Sequence, residues 1–117
     1  MRQVVHERDD SASRPLTEPV FLILTSLAEH PRHGYALLQD IQHISNGRVM
    51  LSTGTLYGAL RRLLEEGWIE RFSQEDTSRD KQAYRLTDSG RKQLHAELNR
   101  MRQLARAAAT RLRMDEV

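Results

Sequence analysis

With 117 residues, 38% of them apolar and 29% charged, and a formal net charge of +2, the chain has the size and composition of one soluble domain with a single modest core. The absence of cysteine excludes disulfides and thiolate metal sites and suits a reducing cytoplasm, no apolar run approaches the roughly 20 residues of a membrane span, and Met1–Asp10 lacks the apolar centre of a signal peptide. Charge is uneven: from Thr87 onward seven basic residues (Arg91, Lys92, Arg100, Arg102, Arg106, Arg111, Arg113) face four acidic ones (Asp88, Glu97, Asp115, Glu116), a balance of +3 that leaves −1 for everything before it; a nucleic-acid reading must rest on where single charges sit.

Residues 1–15 mix charges with Ser11, Ser13 and Pro15 and are expected to form a flexible tail. Thr17 is placed to cap a first helix with Glu18 and Pro19 in its opening turn and Val20, Phe21, Ile23, Leu24 and Leu27 on a wide apolar face. His30-Pro31-Arg32-His33-Gly34 interrupts it, because proline lacks an amide hydrogen and disfavours helix before itself. A second helix is predicted from about Tyr35 to Ile44, with Leu37, Leu38, Ile41 and Ile44 at helical spacing, and Ser45-Asn46-Gly47 ends it with turn chemistry. Arg48 to Leu51 is an extended link. Ser52 then caps a third helix by accepting from the amide near Thr55, with Leu56, Leu60 and Leu63 or Leu64 inward and Tyr57, Gly58, Arg61 and Arg62 outward. Gly67 stops it. Trp68–Ser73 and Gln82–Leu86 alternate around a polar tip and predict a hairpin; Thr87-Asp88-Ser89 caps a final helix from about Asp88 to Leu112. The expected fold is mainly α with a small β-hairpin: a winged helix-turn-helix domain over 16–87 and a long C-terminal dimerisation helix over 88–117.

In the final helix Leu94, Leu98, Met101, Ala105, Ala108 and Leu112 recur at intervals of four and three, the seam of a coiled coil. An intrachain target is open, since the first helix is apolar enough to receive it; dimerisation through this helix, with the first helix included, is the preferred reading.

The third helix can be read as a plain amphipathic core helix, but its outer side carries more than packing needs. Ser52, Thr53 and Thr55 place hydroxyls and amides at a positive helix N-terminus where phosphate is well received. Tyr57 adds a ring and a phenol. Arg61 and Arg62 can reach phosphates or a guanine edge, and in the free chain the two arginines are expected to pair with Glu65 and Glu66 four residues on. Tyr35, opening the second helix, is a further candidate DNA contact. Arg79 and Lys81 stand on the return side of the hairpin tip, where Glu75, Asp76 and Asp80 oppose them. His30 and His33 have a metal-pair spacing, but Pro31 breaks the helix that would align them and no ligand set is completed, so no metal or other cofactor is expected. No nucleophile has a base beside it and no phosphate loop is present; an enzyme is not expected.

As a set, Leu16-Thr17, His33-Gly34-Tyr35, Gly54-Thr55-Leu56-Tyr57 with Leu60 and Leu63, Glu65-Glu66-Gly67, and Tyr84-Arg85-Leu86-Thr87 followed by Gly90 closely resemble the PadR family of bacterial transcriptional regulators, in the branch with one C-terminal dimerisation helix. The resemblance implies a homodimeric winged-helix repressor on an inverted-repeat operator, with the helix from Ser52 in the major groove and Tyr57, Arg79 and Lys81 touching DNA. Where the family wing often has glycine and proline, this chain has Ser78 and Asp80. Relatives released by small molecules imply a possible effector, often held between dimer helices. A winged helix used only to bind a protein partner is the alternative.

Overall fold

A computed structural model of the protein describes residues 14–72 and 82–116; the tail expected over the first residues, and the wing tip with Arg79 and Lys81, lie outside the described residues apart from the tail's last two. The elements run α1 (Glu18–Glu29), β1 (Arg32–His33), α2 (Gly34–Ile44), α3 (Thr53–Glu66), β2 (Ile69–Phe72), β3 (Ala83–Leu86) and α4 (Asp88–Glu116). Three of the four helices start at a hydroxyl cap, α2 following His33 without a side-chain cap. Thr17 Oγ1 accepts from the Val20 amide at 3.3 Å, Ser52 Oγ from Thr55 at 3.1 Å, and Thr87 Oγ1 from Gly90 at 3.0 Å. Gly67 ends α3 at φ 80°, with its own amide bonded to Leu64 O and that of Trp68 to Leu63 O, both at 3.1 Å. That paired closure, which favours glycine at the positive φ, turns the chain directly into β2.

The helices bury one stripe each. Leu22, Ile23, Leu24 and Leu27 of α1 meet Leu37 and Ile41 of α2, Leu56, Leu60 and Leu63 of α3, Ile69 of β2 and Tyr84 of β3 in one core. Leu63, not Leu64, is the buried member of the α3 pair. The sheet has one strand more than a hairpin: β1 pairs antiparallel with β3 (Arg32 opposite Tyr84, His33 opposite Ala83), giving the order β1-β3-β2. A polar knot holds this strand to the helices. Buried Ser26 donates to Asp40 Oδ2 at 2.6 Å, while Arg32 donates to Ser26 O and pairs with both Asp40 and Glu29, so α1, β1 and α2 are fixed through groups that would be costly to bury unpaired.

The first half of α4 packs on α1 and β3. Its inward face includes Glu97, only 5% exposed, whose carboxylate accepts from Arg100 at 2.6 and 2.9 Å. The hydrogen bonds from Arg100 hold the Glu97 carboxyl below the usual glutamate range, its burial opposing this. Arg100, one of the seven basic residues after Thr87, is committed to this pair. A carboxyl with a depressed folded pKa adds stability above the unfolded-state value of about 4.3 and loses it as pH falls through the folded value. Glu97→Gln is therefore expected to flatten the acid limb of a stability-versus-pH curve below about pH 4, measured by urea denaturation. An unchanged acid limb would show that the pair is not coupled to folding.

Candidate nucleic-acid interface

α3 enters the molecule with Leu56, Leu60 and Leu63 inward, which fixes what its opposite side presents. At 100° per residue the crest directly opposite these leucines is Gly54, Gly58, Arg61 and Glu65, with Tyr57 on one flank and Thr55 and Arg62 on the other. Ser52, Thr53, Thr55, Tyr57, Arg61 and Arg62 are all exposed. Ser52 is occupied by its own cap: besides accepting from the Thr55 amide, it donates to Thr55 Oγ1 at 3.0 Å. It shapes the helix start and leaves the amides of Thr53 and Gly54 as the forward donors. The i,i+4 pairs expected between Arg61 and Glu65 and between Arg62 and Glu66 are not formed; among the described residues neither arginine has an ionic partner. Long exposed side chains lose rotamer freedom on pairing and gain little in water, so such a pair is worth too little to hold either arginine in place.

Gly54 and Gly58 sharpen the crest. A Cβ at either position would meet nothing within 4 Å, so no intrachain contact requires them, although each glycine inside a helix costs roughly 0.5–1 kcal/mol against alanine. Their effect is to leave the α3 backbone uncovered along its outer line.

Tyr57 is 46% exposed, but its phenol is not free. It lies over Gly34, where a Cβ would overlap the hydroxyl and stand 2.9 Å from Cζ. The glycine of His33-Gly34-Tyr35 is thus the seat of the tyrosine of Gly54-Thr55-Leu56-Tyr57, two motifs twenty residues apart in sequence. Tyr35 stands beside this seat at 71% exposure. Gly34→Ala is expected to keep the fold at a cost of about 1 kcal/mol, because the clash falls on the outer end of a movable ring. The readout is a small drop in Tm with a changed near-ultraviolet tyrosine signal. Unfolding would show that Tyr57 cannot give way.

The sheet joins this neighbourhood. Burial, and next the Tyr57 phenol, hold Tyr84 above the usual tyrosine range, with the Arg71 guanidinium opposing. Exposed Arg85 lies directly across from Glu70 and bonds it at 2.7 Å while stacking 4.8 Å over Phe72. Arg71 and Arg85 are exposed cations beside this neighbourhood that are not among the candidates above; their signal in the sequence is a basic residue on each strand of a short alternating hairpin. Of the seam residues, Leu94 packs against the core and Leu98 is half-buried, whereas Met101, Ala105, Ala108 and Leu112 are exposed. The first half of the helix is thus docked within the chain, and its second half is bare. No helix among the described residues is long and apolar enough to cross a membrane.

The profile of the transcriptional regulator PadR-like family matches residues 23–96. An uncharacterized 37.1 kDa protein of a Streptomyces fradiae transposon is 36% identical over 84 residues, which are 72% of this chain and 23% of that protein, so the chain spans less than a quarter of this relative. Among solved structures, a PadR family regulator from Clostridium difficile superposes with a TM-score of 0.68 at 22% identity, over 82% of this chain and 99% of the other. Bacillus subtilis PadR in complex with operator DNA superposes at 0.59 with 28% identity, over 68% of this chain and 45% of the other. With a family match over most of its length and the winged-helix architecture of the solved members, this chain belongs to the PadR-like family of transcriptional regulators.

Proposed function

We propose that the protein is a cytoplasmic, homodimeric repressor that binds a palindromic operator through α3. The observation that carries this is the crest of α3: a capped helix N-terminus, two uncovered glycines, a seated Tyr57 and two arginines without intrachain partners. A surface approaching that line meets backbone, donors and cations over its first turns, with the one opposing charge, Glu65, at its far end. Thr53 and Thr55 with the free amides favour a phosphate, and Arg61, at the crest, is aimed at a base edge. Arg62 leans toward the start of α1, where it lines a shallow recess with Thr17 and Val20, a place suited to flanking phosphate. Tyr35 and Tyr57 form one aromatic corner beside them. Arg79 and Lys81, outside the described residues, are the further DNA contacts that the family resemblance implies. The operator complex of the Bacillus subtilis relative supports DNA as the partner.

The bare stripe Met101, Ala105, Ala108 and Leu112 supports dimerisation through α4, since apolar residues at coiled-coil spacing gain by pairing. An effector has a plausible seat in a cleft of about 490 Å³ between α1, the end of α2 and α4, lined by Phe21, Ile44, Arg48, Glu97, Arg100 and Met101. It touches both the dimer helix and the link into α3.

Fluorescence anisotropy on duplexes tests the reading. Arg61→Ala is expected to weaken operator binding by about tenfold or more, and Gly58→Ala to weaken it while stabilising the fold by up to about 1 kcal/mol. A protein with no preference for any sequence over bulk DNA at moderate salt would overturn the proposal. The near-neutral head favours a second reading, a winged helix that docks a protein. A stoichiometric protein partner together with no DNA retention would establish it.

A further inference from the structure

One side of α4 holds a feature that neither the proposed operator-reading helix nor the proposed dimer seam uses. Between Ser89 and Met114 the one carboxylate is Glu97, and it is consumed by Arg100. At 100° per residue Arg91, Lys92, Arg102, Arg106 and Arg113 fall along one side of the helix with His95, Asn99 and Ala109, about a quarter turn from the apolar stripe. All five cations are exposed and none forms an ion pair among the described residues; Arg113 bonds only Thr110 Oγ1 at 3.5 Å. Asp88, at the helix start, is the single acid on that side. The ridge from Arg91 to Arg113 is straight and about 33 Å long at 1.5 Å per residue.

A merely solvated helix face carries charges of both signs, spaced to pair. This one does not. Arg102 and Arg106 repel each other at the four-residue spacing, a small cost that the sequence keeps. Attraction to the negative end of the helix dipole explains Arg113 and nothing before the last turn. The ridge calls for a polyanion, and its composition selects which one. Protein interfaces need apolar or aromatic anchors at their centre, an inserting membrane helix needs them along its length, and single-stranded nucleic acid needs rings to stack on. The ridge offers none of these. The phosphate backbone of duplex DNA asks only for charge and donors, which arginine supplies as a fork. We propose that the α4 ridge is a second, sequence-independent contact surface for duplex DNA, supplying the electrostatic attraction that the −1 head lacks.

The experiment uses the full-length protein and a labelled random-sequence duplex of roughly three helical turns, titrated at about 50 to 200 mM salt. Combining Arg102→Gln, Arg106→Gln and Arg113→Gln is expected to reduce the slope of log K against log salt by about 2 to 3 and the low-salt affinity at least tenfold. The corresponding triple lysine variant is expected to keep the slope, which separates charge from folding. Arg111→Gln, a cation off the ridge that bonds Ala107 O, is expected to have little effect. An unchanged slope in the glutamine triple, or an equal loss from Arg111→Gln alone, overturns the proposal. So does loss of binding to anionic phosphatidylserine vesicles with DNA binding intact. Operator selectivity is read in parallel: selectivity kept while the slope stays unchanged would sink the ridge and leave α3 standing, and the reverse pattern would sink α3 alone.

Discussion

Gly90→Ala is expected to destabilise the protein by on the order of 3 kcal/mol, a drop in Tm of roughly 10 to 20 °C. Gly90 sits where three elements converge. Its amide bonds Thr87 Oγ1, which donates onward to Gly67 O at 2.7 Å, while the Thr87 amide bonds Trp68 O at 3.1 Å. A Cβ on Gly90 would overlap the Trp68 carbonyl oxygen and stand 2.9 Å from both the Trp68 carbonyl carbon and Leu86 Cδ1. Unlike the Tyr57 ring over Gly34, backbone held by hydrogen bonds cannot swing aside. Relief requires the start of α4 to lift from the Trp68 backbone that follows α3. Gly54→Ala is the internal control, because its Cβ meets open space and the same chemical change should there stabilise by up to about 1 kcal/mol. Equal melting temperatures for the two variants would contradict the packing described at Gly90.

The second large effect concerns the proposed dimer. Leu98→Asp is expected to yield a monomer in sedimentation velocity and to remove operator binding with it, since a charge placed in an apolar seam must be desolvated in both copies. Leu98 is half-buried within its own chain, so some of the loss will be folding. Leu112→Asp separates the two. Leu112 is 61% exposed and outside the core cluster, and its change is expected to leave the melting temperature of the head intact while weakening dimerisation on the order of a hundredfold. A Leu112→Asp protein that still sediments as a dimer at low concentration would remove α4 as the interface.

Much of this architecture was legible in the residues. Ser52, Thr17 and Thr87 cap as hydroxyl side chains before apolar periods do, and Gly67 stops α3 as a glycine free to take positive φ, because these are local effects of a few neighbouring atoms. What the pattern could not give was anything made by distant partners. β1 is two residues long, too short for a period, and exists because Ala83 and Tyr84 offer it an edge. Glu97 is polar in sequence and buried in fact, since Arg100 satisfies it with two hydrogen bonds. The Arg61 and Arg62 pairs failed in the other direction, where sequence spacing offered a contact that solvent makes unprofitable. At the candidate interface, the exposure of Tyr57 was readable from its helical phase, but its seat on Gly34 needed the fold.

Selection of bound sequences from a random duplex pool tests most directly whether paired α3 helices read DNA. Two copies of α3 related by a two-fold axis require recovered sequences to converge on an inverted repeat with half-site centres about 34 Å, one helical turn, apart, and Arg61→Ala to relax the preference at one position in each half. A recovered pool as varied as the input, or a motif without two-fold symmetry, would contradict it.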